Sequence, residues 1–414
     1  MSHHDLIHFF LQICAMMSVA LIFGQAMHKL RQPAVLGEII GGILLGPTAF
    51  GALAPQAYTW LFKTSGLAAT GREGVLKLGM LFFLFVAGLE VDLGHFRRRG
   101  ASVALTSILG IVIPFGLGFG AVLLLPGLWG PQAGGMPTIF ALFLGMALSI
   151  SAIPVIARIL MDIGLMRTEI GFVVMAAATV NDLIGWSLFS LILSSFAPEG
   201  LRPGSLWGSL GVVLGLFVAI LTVGRWAGRR ALVWLQAHLN WPGGFIGVTT
   251  ILVLAAAAAT ESLGIHAVFG AFLVGVALAG SSEAWSRAHE VVYQFAVSFF
   301  APLYFVSVGL QADFVANFHP PLVLIVLLIA CVGKILGAGL GARLGGMPLR
   351  DAVAVGFGMN ARGAMEMILA SVALEYGLID KRIFVALVVM ALVTSMLSGP
   401  VMQRLLGGRT VQSG

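Results

Sequence analysis

Gly356-Phe357-Gly358-Met359-Asn360-Ala361-Arg362-Gly363 carries the chain's clearest architectural signal. It interrupts an apolar run, 351–375, that is long enough to cross a bilayer, since a spanning helix needs about 20 mostly apolar residues. Three glycines in eight residues weaken a helix at its centre. Non-helical backbone survives at membrane depth only where it is buried in protein or lines water. The stretch therefore predicts a discontinuous helix inside a bundle of spanning helices. A second run, 138–161, is interrupted in a similar way by Ser149-Ile150-Ser151-Ala152-Ile153-Pro154. Pro154 lacks an N–H, so the carbonyl of Ile150 loses its helical partner. Carbonyls freed in this way are hard oxygen ligands, suited to a small cation.

The rest of the chain supports a membrane setting. Of its 414 residues 59% are hydrophobic and only 10% are charged, against about 25% charged in soluble domains. The expected fold is an all-α polytopic membrane protein with thirteen spans. They lie near 6–27, 33–53, 74–94, 101–126, 138–161, 169–197, 206–224, 243–260, 265–281, 291–311, 321–343, 351–375 and 382–403. Little chain is left over for a soluble catalytic or regulatory domain. The formal charge of +6 is spread over short loops, which argues for topology rather than nucleic-acid binding. Fourteen of the 23 Lys and Arg residues fall after odd-numbered spans and six after even-numbered ones. The positive-inside rule then places the N-terminus outside and the C-terminus in the cytoplasm. No secretory leader is expected: the first apolar run is too long for one and lacks a small-residue cleavage site. Cys14 and Cys331 lie in apolar runs and are expected to be buried thiols without a disulfide.

The chain also resembles itself. Ala34-Val35-Leu36-Gly37 with Gly42 recurs as Ala267-Val268-Phe269-Gly270 with Gly275. Gly88-Leu89-Glu90-Val91-Asp92 recurs as Gly309-Leu310-Gln311-Ala312-Asp313. The matches fall in spans 2 and 9 and in spans 3 and 10. An offset of seven spans, an odd number, makes the second copy inverted in the membrane, the architecture of many secondary transporters. The first copy is expected over 6–197, a linker helix over 206–224 and the second copy over 243–403. Sites are then expected near the midplane, where the discontinuous spans 5 and 12 meet.

An ionisable residue inside a span costs about 2.5–3.5 kcal/mol on insertion scales and points to function. Asp182, in Thr179-Val180-Asn181-Asp182-Leu183, is such a residue. A carboxylate there holds a proton or a cation but not both, and that competition is the minimal machinery for exchanging one for the other. The plainer reading is a structural Asp bonded to neighbouring helices. Lys334 in span 11 either pairs with Asp182 when no cation is bound or neutralises the carbonyl ends of the broken helices. Arg362 and Glu366 are four apart and share a helix face. With Arg158, which snorkels from the end of span 5, they are expected to be structural. Glu38, Glu90, Asp92 and Glu261, near span ends, read as interfacial anchors. Leu81-Phe82-Phe83-Leu84-Phe85 reads as lipid-facing or packing surface. No phosphate-binding Gly-rich loop, no His-Glu-x-x-His and no nucleophile elbow occur, so neither ATP-driven transport nor an enzyme is expected, and no cofactor.

Together these residues resemble the monovalent cation:proton antiporter-2 family, which carries the sodium/hydrogen exchanger domain. The resemblance rests on Asn181-Asp182, the Ser-Pro interrupted span 5, Lys334 and Asn360-x-Arg362-Gly363-x-x-Glu366. Gln32-Pro33-Ala34-Val35-Leu36-Gly37-Glu38 with Gly46-Pro47 also belongs to it. It implies a thirteen-span core-and-dimerisation architecture, an elevator movement and homodimers in a bacterial inner membrane. It further implies Asp182 as the ion- and proton-binding carboxylate with Asn181 beside it. Ser149, Ser151, Thr179 and Lys334 are the expected supporting groups. Pro154, Asn360, Arg362, Gly363 and Glu366 are expected to shape the crossing. Electrogenic members are similar to one another in carrying Asp-Asp where this chain has Asn181-Asp182, which implies electroneutral exchange, one proton per cation. Lys334, typical of the electrogenic members, is nonetheless present. Kef-type members add a nucleotide-binding domain after the last span; the sequence ends at Gly414, and gating of that type is not expected. Na⁺, with Li⁺, is the leading cargo and K⁺ the alternative. An organic-anion:sodium symporter and a channel are the rivals from other classes.

Overall fold

The computed structural model describes residues 3–30, 32–62, 67–89, 100–166, 168–194, 243–263, 266–279 and 290–406, with residues 215, 222, 226 and 230. The span expected over 206–224 lies outside these stretches, as do Glu90 and Asp92. The side chains of Pro154 and Arg158 are likewise outside the description.

Apolar runs become helices because lipid offers backbone N–H and C=O groups no other partner. In chain order they are α1 (His3–Lys29), α2 (Ala34–Leu45), α3 (Leu67–Leu89), α4 (Gly100–Leu124), α5 (Pro137–Ala147), α6 (Ile153–Asp162) and α7 (Glu169–Ser194). There follow α8 (Gly243–Ser262), α9 (Ala267–Leu278), α10 (Glu290–Gln311), α11 (Pro320–Leu344), α12 (Leu349–Met359), α13 (Ala364–Glu375) and α14 (Lys381–Leu406). Among the described residues, seven stretches are long and apolar enough to cross a membrane: α1, Ala34–Leu53, α4, Glu169–Leu193, α10, α11 and α14. The runs 138–161 and 351–375 are each divided, into α5 with α6 and α12 with α13. Prolines open α5, α6 and α11, where a missing N–H costs no helical bond.

The helices gather into two compact groups. One is built from residues 1–18, 59–92 and 186–307. Within it α3 lies along α9, and α9 along α8. Phe82 stacks on Phe300 at 5.2 Å and Phe83 meets Phe305 edge-on at 5.1 Å. The Phe-rich stretch is therefore interior packing along its whole length. The other group is built from 19–58, 93–185 and 308–414. There α4 lies along α11, and α11, α12 and α14 pack on one another. A hydrophobic cluster running from Val103 through Ile156, Val173 and Val355 to Met402 fills its centre.

Glycine sets the closest approaches in both groups. A Cβ on Gly37 would lie 2.1 Å from the carbonyl oxygen of Phe23; one on Gly270 would lie 2.5 Å from that of Ala256. In each case the carbonyl is fourteen residues earlier in the chain. A Cβ on Gly309 would lie 2.2 Å from the Ile39 oxygen and 2.7 Å from Cα of Gly42. One on Gly88 would lie 2.2 Å from the Phe272 oxygen and 3.0 Å from Cα of Gly275. Motif residues thus contact motif residues, α2 with α10 and α3 with α9. Helix lengths recur too: α2 and α9 have 12 residues each, α4 and α11 have 25, α5 and α12 have 11, α7 and α14 have 26. Because the atoms that would be struck are backbone, no rotamer change relieves the clash. Gly309→Ala and Gly88→Ala are each expected to cost about 1–3 kcal/mol, read as a lowered unfolding temperature of the detergent-solubilised chain. Gly74→Ala, where an added methyl meets nothing within 4 Å, is the control.

The thiols depart from expectation. Both are free, but Cys14 is exposed on α1 and Cys331 only partly buried. Phe10, Leu21 and Ile22 of α1 are exposed as well. Apolar sequence implies a protein interior only in water; lipid accommodates the same side chains without burial in protein.

Candidate ion site at the crossing of two discontinuous helices

α5 ends at Ala147 and α6 begins at Ile153; α12 ends at Met359 and α13 begins at Ala364. The two unwound segments are bonded to each other. The Ala152 N–H donates to the Ala361 carbonyl at 3.2 Å, and Ser151 Oγ donates to the Met359 carbonyl at 2.7 Å. Gly363 is needed for this approach, since a Cβ there would lie 2.8 Å from Cγ2 of Val155. Ser395 on α14, which sequence reasoning did not single out, donates from Oγ to the Arg362 carbonyl.

Two buried cations meet the carbonyls that the breaks release. The Arg362 guanidinium donates to the carbonyls of Ala147 at 3.0 Å, Leu148, and Ala330 at 3.4 Å. It also forms an ion pair with Glu366 at 3.4 Å, one helical turn on. Lys334 Nζ donates to the Ser149 carbonyl and, at 3.0 Å, to that of Gly110. Gly110 is available because Pro114, four residues later in α4, has no N–H to offer it. Positive groups at the C-terminal end of α5 also complement its dipole. The carbonyls of Ala147, Leu148 and Ser149 at the end of α5 thus accept hydrogen bonds from the protein's own Lys and Arg.

Asn181 and Asp182 lie mid-way along α7, 1% and 0% exposed. With the Asn181 amide nitrogen donating to the carbonyls of Ala177 at 3.2 Å and Ser107 at 3.3 Å, its oxygen accepts from Lys334 Nζ at 2.8 Å. This orientation is assigned from the hydrogen-bond network. Asp182 and Glu366 both lie within electrostatic reach of Lys334. Ser149 Oγ donates to the carbonyls of Gly145 at 2.6 Å and Ile111 at 3.2 Å, and Thr179 Oγ1 to that of Met175 at 3.0 Å. With their protons committed to backbone, the hydroxyls of Ser149, Ser151 and Thr179 have only lone pairs left to offer. Asn360 closes the end of α12 and donates from Nδ2 to Cys331 Sγ at 3.5 Å.

The structure therefore links Asn181, Ser149, Lys334 and Gly110 in one hydrogen-bonded set. Arg362, Glu366 and Ser395 are linked in an adjoining set, Ser151 bonds separately to Met359, and Asp182 is next to Asn181 in sequence. The Gly110–Pro114 pair was readable in advance by the reasoning applied to Pro154. Of the acids assigned to span ends, Glu261 is exposed and accepts from the Ala267 N–H at 2.7 Å, capping α9. Glu38 departs from that reading. It is 7% exposed, because α1 lies tightly across α2 at Gly37 and Gly41.

Crossed, interrupted helices of this kind are the architecture of membrane carriers. The family model described as "Sodium/hydrogen exchanger, transmembrane" matches residues 16–407, and the chain belongs to that family of cation/proton antiporters. Cation/H(+) antiporter 18 of Arabidopsis thaliana is 36% identical over 94% of this chain and 48% of that protein. The chain thus spans about half the length of this plant relative. Na(+)/H(+) antiporter NhaS4 of Synechocystis sp. is 30% identical over 95% of this chain and 96% of its own length. The structure of the sodium proton antiporter MjNhaP1 from Methanocaldococcus jannaschii superimposes with a TM-score of 0.65 at 17% identity, covering 98% of both chains. It shares the fold.

Proposed function

We propose that the chain exchanges Na⁺, with Li⁺ as a second substrate, for H⁺, and that Asp182 is the group on which cation and proton compete. The observation that carries this is a carboxylate wholly buried mid-helix, with its neighbour Asn181 bonded to Lys334 at the crossing. Ser149, Ser151 and Thr179 supply lone pairs beside it. Lys334 and Arg362 hold the breaks in shape by occupying their carbonyls, and Glu366 balances Arg362. Asn181 brings no charge, so one carboxylate serves one cation and one proton, and exchange is electroneutral. The swapped glycine contacts and recurring helix lengths support two inverted repeats among thirteen spans; the same reading has the chain work as an elevator in a homodimer. The N-terminus is outside and the C-terminus cytoplasmic in a bacterial inner membrane.

The test is proton movement in proteoliposomes carrying an internal pH dye, with Na⁺, Li⁺ or K⁺ added in turn. Na⁺ and Li⁺ are expected to move protons, and clamping the voltage with valinomycin is expected to leave the rate unchanged. A rate that follows voltage overturns electroneutrality. K⁺/H⁺ exchange is the alternative, since the plant relative's name leaves the cation unspecified; movement with K⁺ alone would establish it.

A further inference from the structure

Glu38 is a buried acid that the exchange site does not use. It lies on α2, outside the crossed helices, with 7% of its surface exposed. Its Oε2 is buried with no hydrogen-bond partner, and among the described residues no ion pair reaches the carboxylate. Glycine closes the seam around it. A Cβ on Gly37 would strike the Phe23 backbone at 2.1 Å, and one on Gly41 would lie 2.5 Å from Cγ1 of Val19. Cγ of Glu38 itself is 3.9 Å from where a Cβ on Gly24 would stand. Among the described residues the charges nearby are few. α2 carries no other ionisable residue, and the half of α1 that crosses it carries only His28 and Lys29, neither paired with Glu38. The end of α10 that meets α2 at Gly42 carries none.

A carboxylate in such a place stays neutral by holding a proton or by holding a cation, since a bare charge without a partner is costly to bury. A proton demands no further ligand, whereas a desolvated cation demands several oxygens. We propose that Glu38 is a second proton-binding site, on a different helix from Asp182, and that losing its proton parts the α1–α2 seam and slows exchange. The link is mechanical. An ionised carboxylate must draw in water, and at Gly37 the seam is backbone against backbone, which gives way only if the helices part. The effect on exchange rests on the exchange reading above; the proton site itself does not.

Two measurements on the full chain test this. In detergent, proton uptake from alkaline to neutral pH is counted with an indicator dye. Glu38→Gln is expected to take up one proton fewer per chain than the native protein, and Glu38→Asp the same number. In proteoliposomes, native exchange is expected to fall on the alkaline side. Glu38→Gln is expected to keep its activity there, with KM for the cation within about a factor of two of native. Equal proton counts for native and Glu38→Gln, or an unaltered alkaline limb, would overturn the proposal. If no variant moves any cation, the exchange reading fails while the proton count still decides the site. Should Glu38→Gln not fold, Glu38→Asp carries the test: a displaced alkaline limb supports the proposal and an unmoved one overturns it.

Discussion

Asp182→Asn is expected to abolish cation-driven proton movement while leaving the protein folded. The substitution keeps the size of a wholly buried side chain and removes the one charge on which cation and proton compete. An amide offers a single neutral oxygen where the carboxylate offered an anionic pair, so the cation loses its counter-charge in a site shielded from water. Each 1.4 kcal/mol of lost binding is about a factor of ten, and losing a few kcal/mol lowers exchange by about a hundredfold or more. The same change removes cation-dependent thermal protection, because a ligand stabilises a fold only as far as it binds it. Exchange at the native rate in the variant would remove Asp182 from the mechanism. A variant that unfolds early without cation would make it structural.

Arg362→Leu is expected to give the largest loss of stability. The guanidinium, fully buried, serves the carbonyls of Ala147, Leu148 and Ala330 and the carboxylate of Glu366. Truncating it leaves Glu366 charged and buried with no cation bonded to it, and breaking a buried pair from one side costs about 3–5 kcal/mol. Arg362→Lys is not expected to restore the loss, because an ammonium is a point donor and cannot span two successive carbonyls and a carboxylate at once. Arg362→Leu with Glu366→Leu is expected to recover part of it, since the stranded charge is then gone. The comparison is made by thermal unfolding in detergent. A single variant as stable as native would show that the guanidinium bonds are dispensable.

Much of this arrangement was readable beforehand from local chemistry. The breaks at Ser149–Ala152 and Asn360–Gly363 follow from proline and glycine placed inside apolar runs, a signal that needs no knowledge of neighbours. The burial of Asp182 and Lys334 likewise follows from charge within a span. What could not be read was who meets whom. Lys334 bonds to Gly110 and Ser149, 224 and 185 residues away, and sequence left open whether it served the carbonyls or Asp182. Ser395 gave no signal, since a serine in a spanning helix is commonplace and its partner, the Arg362 carbonyl, exists only because α13 begins after a break. Glu38 was misplaced for the opposite reason. Its position near a helix end suggested hydration, but the glycines beside it let α1 cover it. Cys14 failed because an apolar run does not say whether protein or lipid lies outside.

Unwound backbone in the middle of two helices looks like a hinge. Here it is stapled: Ala152 to Ala361, Ser151 to Met359, and Ser395 to the Arg362 carbonyl. Bending at either break would tear several of these buried bonds together. The crossing therefore ties α5, α6, α12 and α13 to one another and to α14 at a fixed joint. On the proposed exchange, substitutions that ease movement are expected to act at the borders of these helices and not at the glycines of the break.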